Sequence, residues 1–181
     1  MTDQKIELSR LTSGDVVELI LADHRTFEEL LRLLRDSTAD REAARRTFAT
    51  LHVAHAEAEE HKVYPTLRKQ DAISEGEEDH GEKEHAEGNQ ALLAVLEARS
   101  LEGETFDNLV EELATVVNHH LTEEELTILN PAREEVESEV LHQLGAAFAE
   151  ERNRLIDEDC GDVDNVRAIV AEAQENGLLA D

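Results

Sequence analysis

Nine histidines stand in a chain of 181 residues, and four of them fall where apolar side chains are expected. An α-helix advances about 100° per residue, so positions four and seven apart share a face to within roughly 40°. Leu109, Leu113 and Val117 mark one apolar stripe, and His120 and Glu124 lie on it. Phe48 marks another, and His55 and Glu59 lie close to its line. His24 sits between Ile20 and Phe27 on the stripe of Val17, Leu31 and Leu34, while His85 is in phase with Leu92 and Leu96. Four inward imidazoles and two inward carboxylates result, and the pattern H-x-x-x-E occurs twice on the buried face. Burying such groups without partners is costly, more so for a charged one. Divalent metal compensates: imidazole nitrogen and carboxylate oxygen together suit iron, manganese or zinc, and carboxylates from opposite helices can bridge two ions. Two glutamates offset only part of the charge of two divalent cations, so an oxide or hydroxide bridge is expected as well.

The remaining histidines are less patterned. His52 lies one turn before His55 on the same face, so it is a candidate seventh ligand, a hydrogen-bond donor to a ligand, or an alternative ligand. His119 and Glu123 repeat the spacing of His120 and Glu124, so a shift of one residue would exchange the pairs, although the stripe favours His120 and Glu124. His61, His80 and His142 are expected at the surface. Tyr64 is about 180° from His55 on an unbroken helix and is expected away from the site.

These positions require helices, and the sequence supplies them. One is expected from about Gly14 to Asp36 behind Thr12 and Ser13, and a second from Arg41, behind Asp40, to the region of Lys69, with Pro65 in its last turns. Residues 70–81 read as a solvated connection to a third helix beginning near Asp79 or Glu82. A fourth runs from about Phe106 to Leu129. Asn130 and Pro131 read as the N-cap and first residue of a fifth, reaching Leu155, and a last amphipathic segment runs from Val163 to Gly177. The halves look duplicated, since His24 precedes the first H-x-x-x-E as His85 precedes the second, and each half then reaches a proline. The expected architecture is all-α: an up-down four-helix bundle over residues 1–135 and a helical extension of one or two helices over residues 136–181.

Composition agrees. Aromatics are 3% of the chain and Pro only two residues, which disfavours a β-sandwich or barrel. The charge, 17 basic against 44 acidic side chains or −27, argues against a nucleic-acid backbone or an anionic membrane as partner. The single Cys160 cannot close an intrachain disulfide, and neither an export signal nor an apolar run of roughly 20 residues is read. A soluble cytoplasmic protein is expected, with its oligomeric state open.

The stretches ADHRTFEELL, HAEAEEHKVYP, EKEHAEGNQALL and HHLTEEELTILNP resemble the hemerythrin-like proteins, the group of hemerythrin HHE cation-binding domains. The resemblance implies a four-helix bundle around a non-haem centre of two iron ions per chain, oxo- or hydroxo-bridged, with zinc or manganese as substitutes. By that analogy His24 and His55 serve one iron, His85 and His120 the other, and Glu59 and Glu124 bridge. The dioxygen carriers carry H-x-x-x-H on the third helix and H-x-x-x-x-D on the last, whereas here Asn89 follows His85 by four residues and Glu124 follows His120 by four. The pattern is nearer the six-ligand branch. Fewer protein ligands leave more open positions, favouring reaction with or sensing of dioxygen, hydrogen peroxide or nitric oxide over reversible storage. Turnover of peroxide would make the protein an oxidoreductase of weak catalase or peroxidase type; retention of iron without turnover would make it an iron-holding or iron-sensing module. A metal-independent helical interaction protein is the third reading.

Overall fold

The computed structural model describes residues 6–180, so the outermost ends of both expected domains, residues 1–5 and 181, lie outside it. The described residues are helical without strands. The helices are α1 (Val16–Arg35), α2 (Arg41–Ala58), α3 (Tyr64–Lys69), α4 (Glu75–Glu97), α5 (Glu104–Glu124), α6 (Asn130–Glu135), α7 (Ser138–Asp157) and α8 (Val163–Glu175). Short connections reverse the chain between α1 and α2, α2–α3 and α4, and α4 and α5. These helices pack in a closed circuit in which α1 meets α2, α2 meets α4, α4 meets α5 and α5 meets α1. This is the four-helix bundle. α7 lies across α1 and α2, and α8 packs along α4.

Local chemistry sets the helix ends. Asp15, rather than Thr12 or Ser13, caps α1 by accepting from the Val17 N–H at 2.8 Å, and Asp40 caps α2 as expected. The third bundle helix starts earlier than the sequence suggested. Ser74 and Glu77 form a reciprocal capping box, and Ala72 and Ile73 are buried, so much of the supposed solvated connection is ordered helix. Glycine permits the closest helix packing. A Cβ on Gly145 of α7 would stand 2.0 Å from the Gly14 carbonyl oxygen.

The expectation for Asn130 and Pro131 also needs correction. Asn130 is helical, with φ −65° and ψ −50°, and it does not cap a new helix. The chain runs from α5 through a π-helical turn, Glu125–Leu129, into α6; the break falls at Val136, and α7 starts at Ser138. An identical device joins α2 to α3 through the π turn Glu59–Val63, whose closing bond runs from the Tyr64 N–H to the Glu59 carbonyl. Pro65 and Pro131 each follow such a turn. A proline breaks a helix by losing its bond to the residue four before and by crowding that carbonyl, but here the ladder is already interrupted, so neither ends the helix.

A small apolar cluster with Ala86, Val170 and Ala173 lies between α4 and α8, and two larger clusters make up most of the core. One cluster contains Phe27, Leu31, Phe48, Leu92, Val95, Leu113 and Val117. The other contains Val16, Ile20, Leu67, Ile128, Leu129 and Phe148. Each fully buried side chain of this size contributes roughly 1.5–3 kcal/mol. Between the clusters lies a polar layer one helical turn thick.

Candidate metal centre

Periodicity placed one histidine per bundle helix on the inner face, and the packing brings all four into that layer with both glutamates. His24 is on α1, His55 on α2, His85 on α4 and His120 on α5; Glu59 opens the first π turn and Glu124 ends α5, immediately before the second. None of the six is more than 4% exposed. The His55 Nε2 lies 3.1 Å from Glu59 Oε1, and the His85 Nε2 lies 3.2 Å from Glu59 Oε2. Glu124 Oε2 lies 3.1 Å from His24 Nε2 and 3.8 Å from His120 Nε2. Two groups with ligand-like spacing result: His24, His55, Glu59 and Glu124, and Glu59, His85 and His120. Glu59 belongs to both.

The outward nitrogens carry the information that sequence reasoning missed. The His55 Nδ1 meets Asp23 of α1 at 3.1 Å, and the His85 Nδ1 meets Glu60, beside Glu59, at 2.7 Å. The His120 Nδ1 meets Glu84 of α4 at 3.0 Å, and the His24 Nδ1 meets Glu125 at 2.9 Å. Each helix therefore supplies an acid to the next helix's imidazole, and the fourth returns to the first. Every one of these acids is the sequence neighbour of an inward residue: Asp23 of His24, Glu60 of Glu59, Glu84 of His85, Glu125 of Glu124. The adjacency was visible, and the requirement that a ligating imidazole fix its other nitrogen supplied the reason to look.

This ring fixes which nitrogen faces inward. Buried and without a hydrogen bond are His55 Nε2, His85 Nε2, His120 Nε2 and Glu59 Oε1. An unsatisfied buried polar atom costs about 1–3 kcal/mol, so four converging on one layer need a common partner. A metal cofactor fits: nitrogen and oxygen donors of this type suit iron, manganese or zinc. Without metal, neighbouring carboxylates hold His55 and His85 protonated. Burial alone would lower His55 and His85, but Glu59 with Asp23 for the first, and Glu59 with Glu60 for the second, raise both to about 10. Glu59 is held well below the usual carboxylate range because its flanking imidazoles outweigh the opposing effect of burial.

α7 enters the same network. Arg152, 2% exposed, donates from Nε and Nη2 to the two Asp23 oxygens at 2.7 Å each. Burial pushes the Asp23 carboxyl up, yet His55 and then Arg152 hold it below its ordinary value. Tyr64 is a further addition and a correction. Its hydroxyl donates to Glu124 Oε1 at 2.8 Å, and its ring stacks on His85 with 5.9 Å between centroids. The expected 180° separation from His55 assumed a continuous α-helix, and the π turn between them rotates Tyr64 inward.

His52 and His119 stand outside both groups. His52 is buried, gives Nδ1 to Asn89 Oδ1 at 3.1 Å and packs its Nε2 against Gly88. Burial, with the charges of His85, His120 and His55, lowers it to about 3, so it is neutral. His119 is exposed, and so are His61, His80 and His142.

Residues 15–132 match the family model of the hemerythrin HHE cation binding domain. The chain belongs to that family. The match covers the bundle and ends within α6, so α7 and α8 lie beyond the matched residues. The chain is also similar to a protein of Nostoc sp. (strain PCC 7120 / SAG 25.82 / UTEX 2576) named a DNA nickase, with 28% identity over 144 residues. That similarity covers 78% of this chain and 40% of the relative, so the chain spans well under half of the relative's length. No solved structure matches the chain. No helix among the described residues is long and apolar enough to cross a membrane.

Proposed function

We propose that this HHE-family chain is a non-haem di-iron protein that reacts with or senses a small oxidant, with the centre held by residues 1–135 and residues 136–181 as a packed extension. The observation that carries this reading is the closed ring of carboxylate–imidazole pairs, which turns four buried imidazoles toward two shared glutamates. His24, His55, His85 and His120 would hold the ions, and Glu59 and Glu124 would lie between them. Bound ferrous iron supplies electrons and open coordination positions for dioxygen, peroxide or nitric oxide.

The chain's own residues do the rest. Asp23, Glu60, Glu84 and Glu125 fix the ring orientations and raise the donor strength of the inward nitrogens. Tyr64 holds Glu124 through Oε1 and leaves Oε2 directed at His24 and His120. Phe27 and Phe148 pack edge-on against His55 and keep water from that side. The two groups are unequal, four residues against three, and Asn89 is engaged with His52 rather than completing the smaller one. The side with fewer donors borders a surface cavity. A cavity of about 340 Å³ between α2, α4 and α8 is walled by Glu60, His85, Ala86 and Asn89, with Ala173 of α8 opposite. A small neutral molecule can approach His85 from there.

The test is rapid mixing of iron-loaded protein with peroxide, dioxygen or nitric oxide under optical and paramagnetic detection. Iron-dependent peroxide consumption or a nitric oxide signal stoichiometric with iron supports the proposal. A large rise in melting temperature on iron binding, with no reaction toward any of the three, favours the iron-holding module instead. Strand scission, suggested by the relative's name, is tested by plasmid relaxation, and with a net charge of −27 no nicking above buffer is expected.

A further inference from the structure

Glu84 faces two ways. On α4 and 5% exposed, it accepts from the His120 Nδ1 through Oε2 at 3.0 Å. Its Oε1 is buried and takes part in no hydrogen bond. Two imidazoles that the buried centre does not use stand at that oxygen. His80, one turn earlier on α4, brings its Nε2 to 3.5 Å, and His119 of α5 brings its Nε2 to 3.4 Å. A zinc ion about 2.1 Å from a nitrogen and a carboxylate oxygen, at a tetrahedral angle, places those two atoms about 3.4 Å apart. Both separations match that value and neither pair is hydrogen-bonded, while the two imidazole nitrogens stand farther from each other than the 4.8 Å that spans each buried group, so both rings must turn inward to share an ion. The imidazole side chains are 54% and 64% exposed, so each can turn about its own torsions to close on an ion shared with Oε1.

The geometry points to a second metal site at the surface, in which His80, His119 and Glu84 Oε1 hold a divalent transition-metal ion of the zinc or ferrous class, with water completing its coordination. The net charge of −27 favours cation approach. Glu84 links this site to the buried layer. A cation on Oε1 withdraws charge from Oε2 and weakens the bond that orients His120, so filling the outer site changes the donor strength of an inner imidazole.

The probe is zinc chloride titrated calorimetrically into metal-free full-length protein, with the count checked by elemental analysis of the equilibrated complex. The His80→Gln/His119→Gln variant alters two exposed side chains that anchor no core packing, and circular dichroism verifies its fold. One zinc ion fewer per chain in the variant than in the wild type is expected, together with zinc-dependent shifts of the His80 and His119 ring resonances in the wild type. Equal counts in the two proteins would overturn the outer site, whatever the buried layer binds. As a second variant, Glu84→Gln is expected to lose the same ion and also to shift the His120 ring resonances. Retention of that ion by Glu84→Gln would remove the carboxylate from the site and sink the proposal.

Discussion

Arg152 is where α7 reaches the carboxylate ring, and replacing it by methionine is expected to lower the unfolding free energy of the metal-free protein by about 3–5 kcal/mol. Arg152 and Asp23 are each 2% exposed, and the guanidinium grips both carboxylate oxygens at 2.7 Å. Arg152→Met keeps much of the side chain's packing but leaves Asp23 facing only His55, at 3.1 Å. That imidazole is protonated without metal, which places the loss toward the lower end of the range. The double variant Asp23→Asn/Arg152→Met removes both charges together. It is expected to recover most of the loss, because neutral replacement of a buried pair costs far less than breaking it. Arg10→Ala is the control: it breaks a pair whose side chains are 61% and 56% exposed, a class that solvent screening leaves with little effect on stability. Urea denaturation followed by circular dichroism, with constant slope across the set, measures all three. A loss for Arg152→Met no larger than that for Arg10→Ala would refute the claim that α7 is tied to the site through a buried ion pair.

Other outcomes follow from the same geometry. Glu59→Ala and Glu124→Ala are expected to lower iron content, measured by elemental analysis, far more than His61→Ala, because only the first two face the layer; equal losses would contradict the placement. In the metal-free protein His55 and His85 are raised to about 10, above the unfolded value of about 6.5. Their contribution to stability is complete below that unfolded value and disappears as pH rises through 10, so melts of metal-free protein are expected to fall across this window. At pH 7.5 metal uptake must displace those protons, and calorimetry in buffers of different ionisation enthalpy is expected to detect their release. Tyr64→Phe removes the bond to Glu124 and is expected to cost about 0.5–1.5 kcal/mol of stability while leaving metal content unchanged, measured by denaturation and elemental analysis. Loss of metal in that variant would make Tyr64 essential to the site rather than an aid to Glu124.

What the sequence made legible was periodic. His24, His55, His85, His120, Glu59 and Glu124 are in phase with leucine and phenylalanine stripes, and phase survives folding when a helix is regular. The errors fall where regularity ends. Tyr64 was placed on the wrong side because a π turn intervenes. Asn130 and Pro131 read as a helix start, whereas the same device, in the second half, lets a proline pass inside a helix. The beginning of α4 was missed because Ser74 and Glu77, a capping box, were hidden in an acidic glycine-containing stretch. The outer carboxylates could not be read from one helix alone, since Asp23 serves an imidazole on α2 and Glu125 one on α1. Arg152 lies far along the chain from Asp23, and no local pattern connects them.

The central claim is that the polar layer holds two iron ions. Purified His80→Gln/His119→Gln protein, chosen so that only the buried layer is counted, would be stripped of metal, loaded with ferrous iron without oxygen, desalted and analysed for iron per chain. Two are expected, falling to one or none when Glu59→Ala is added. A count of one or none before that addition, with zinc and manganese refused as well, would contradict the account and leave the converging imidazoles without a partner.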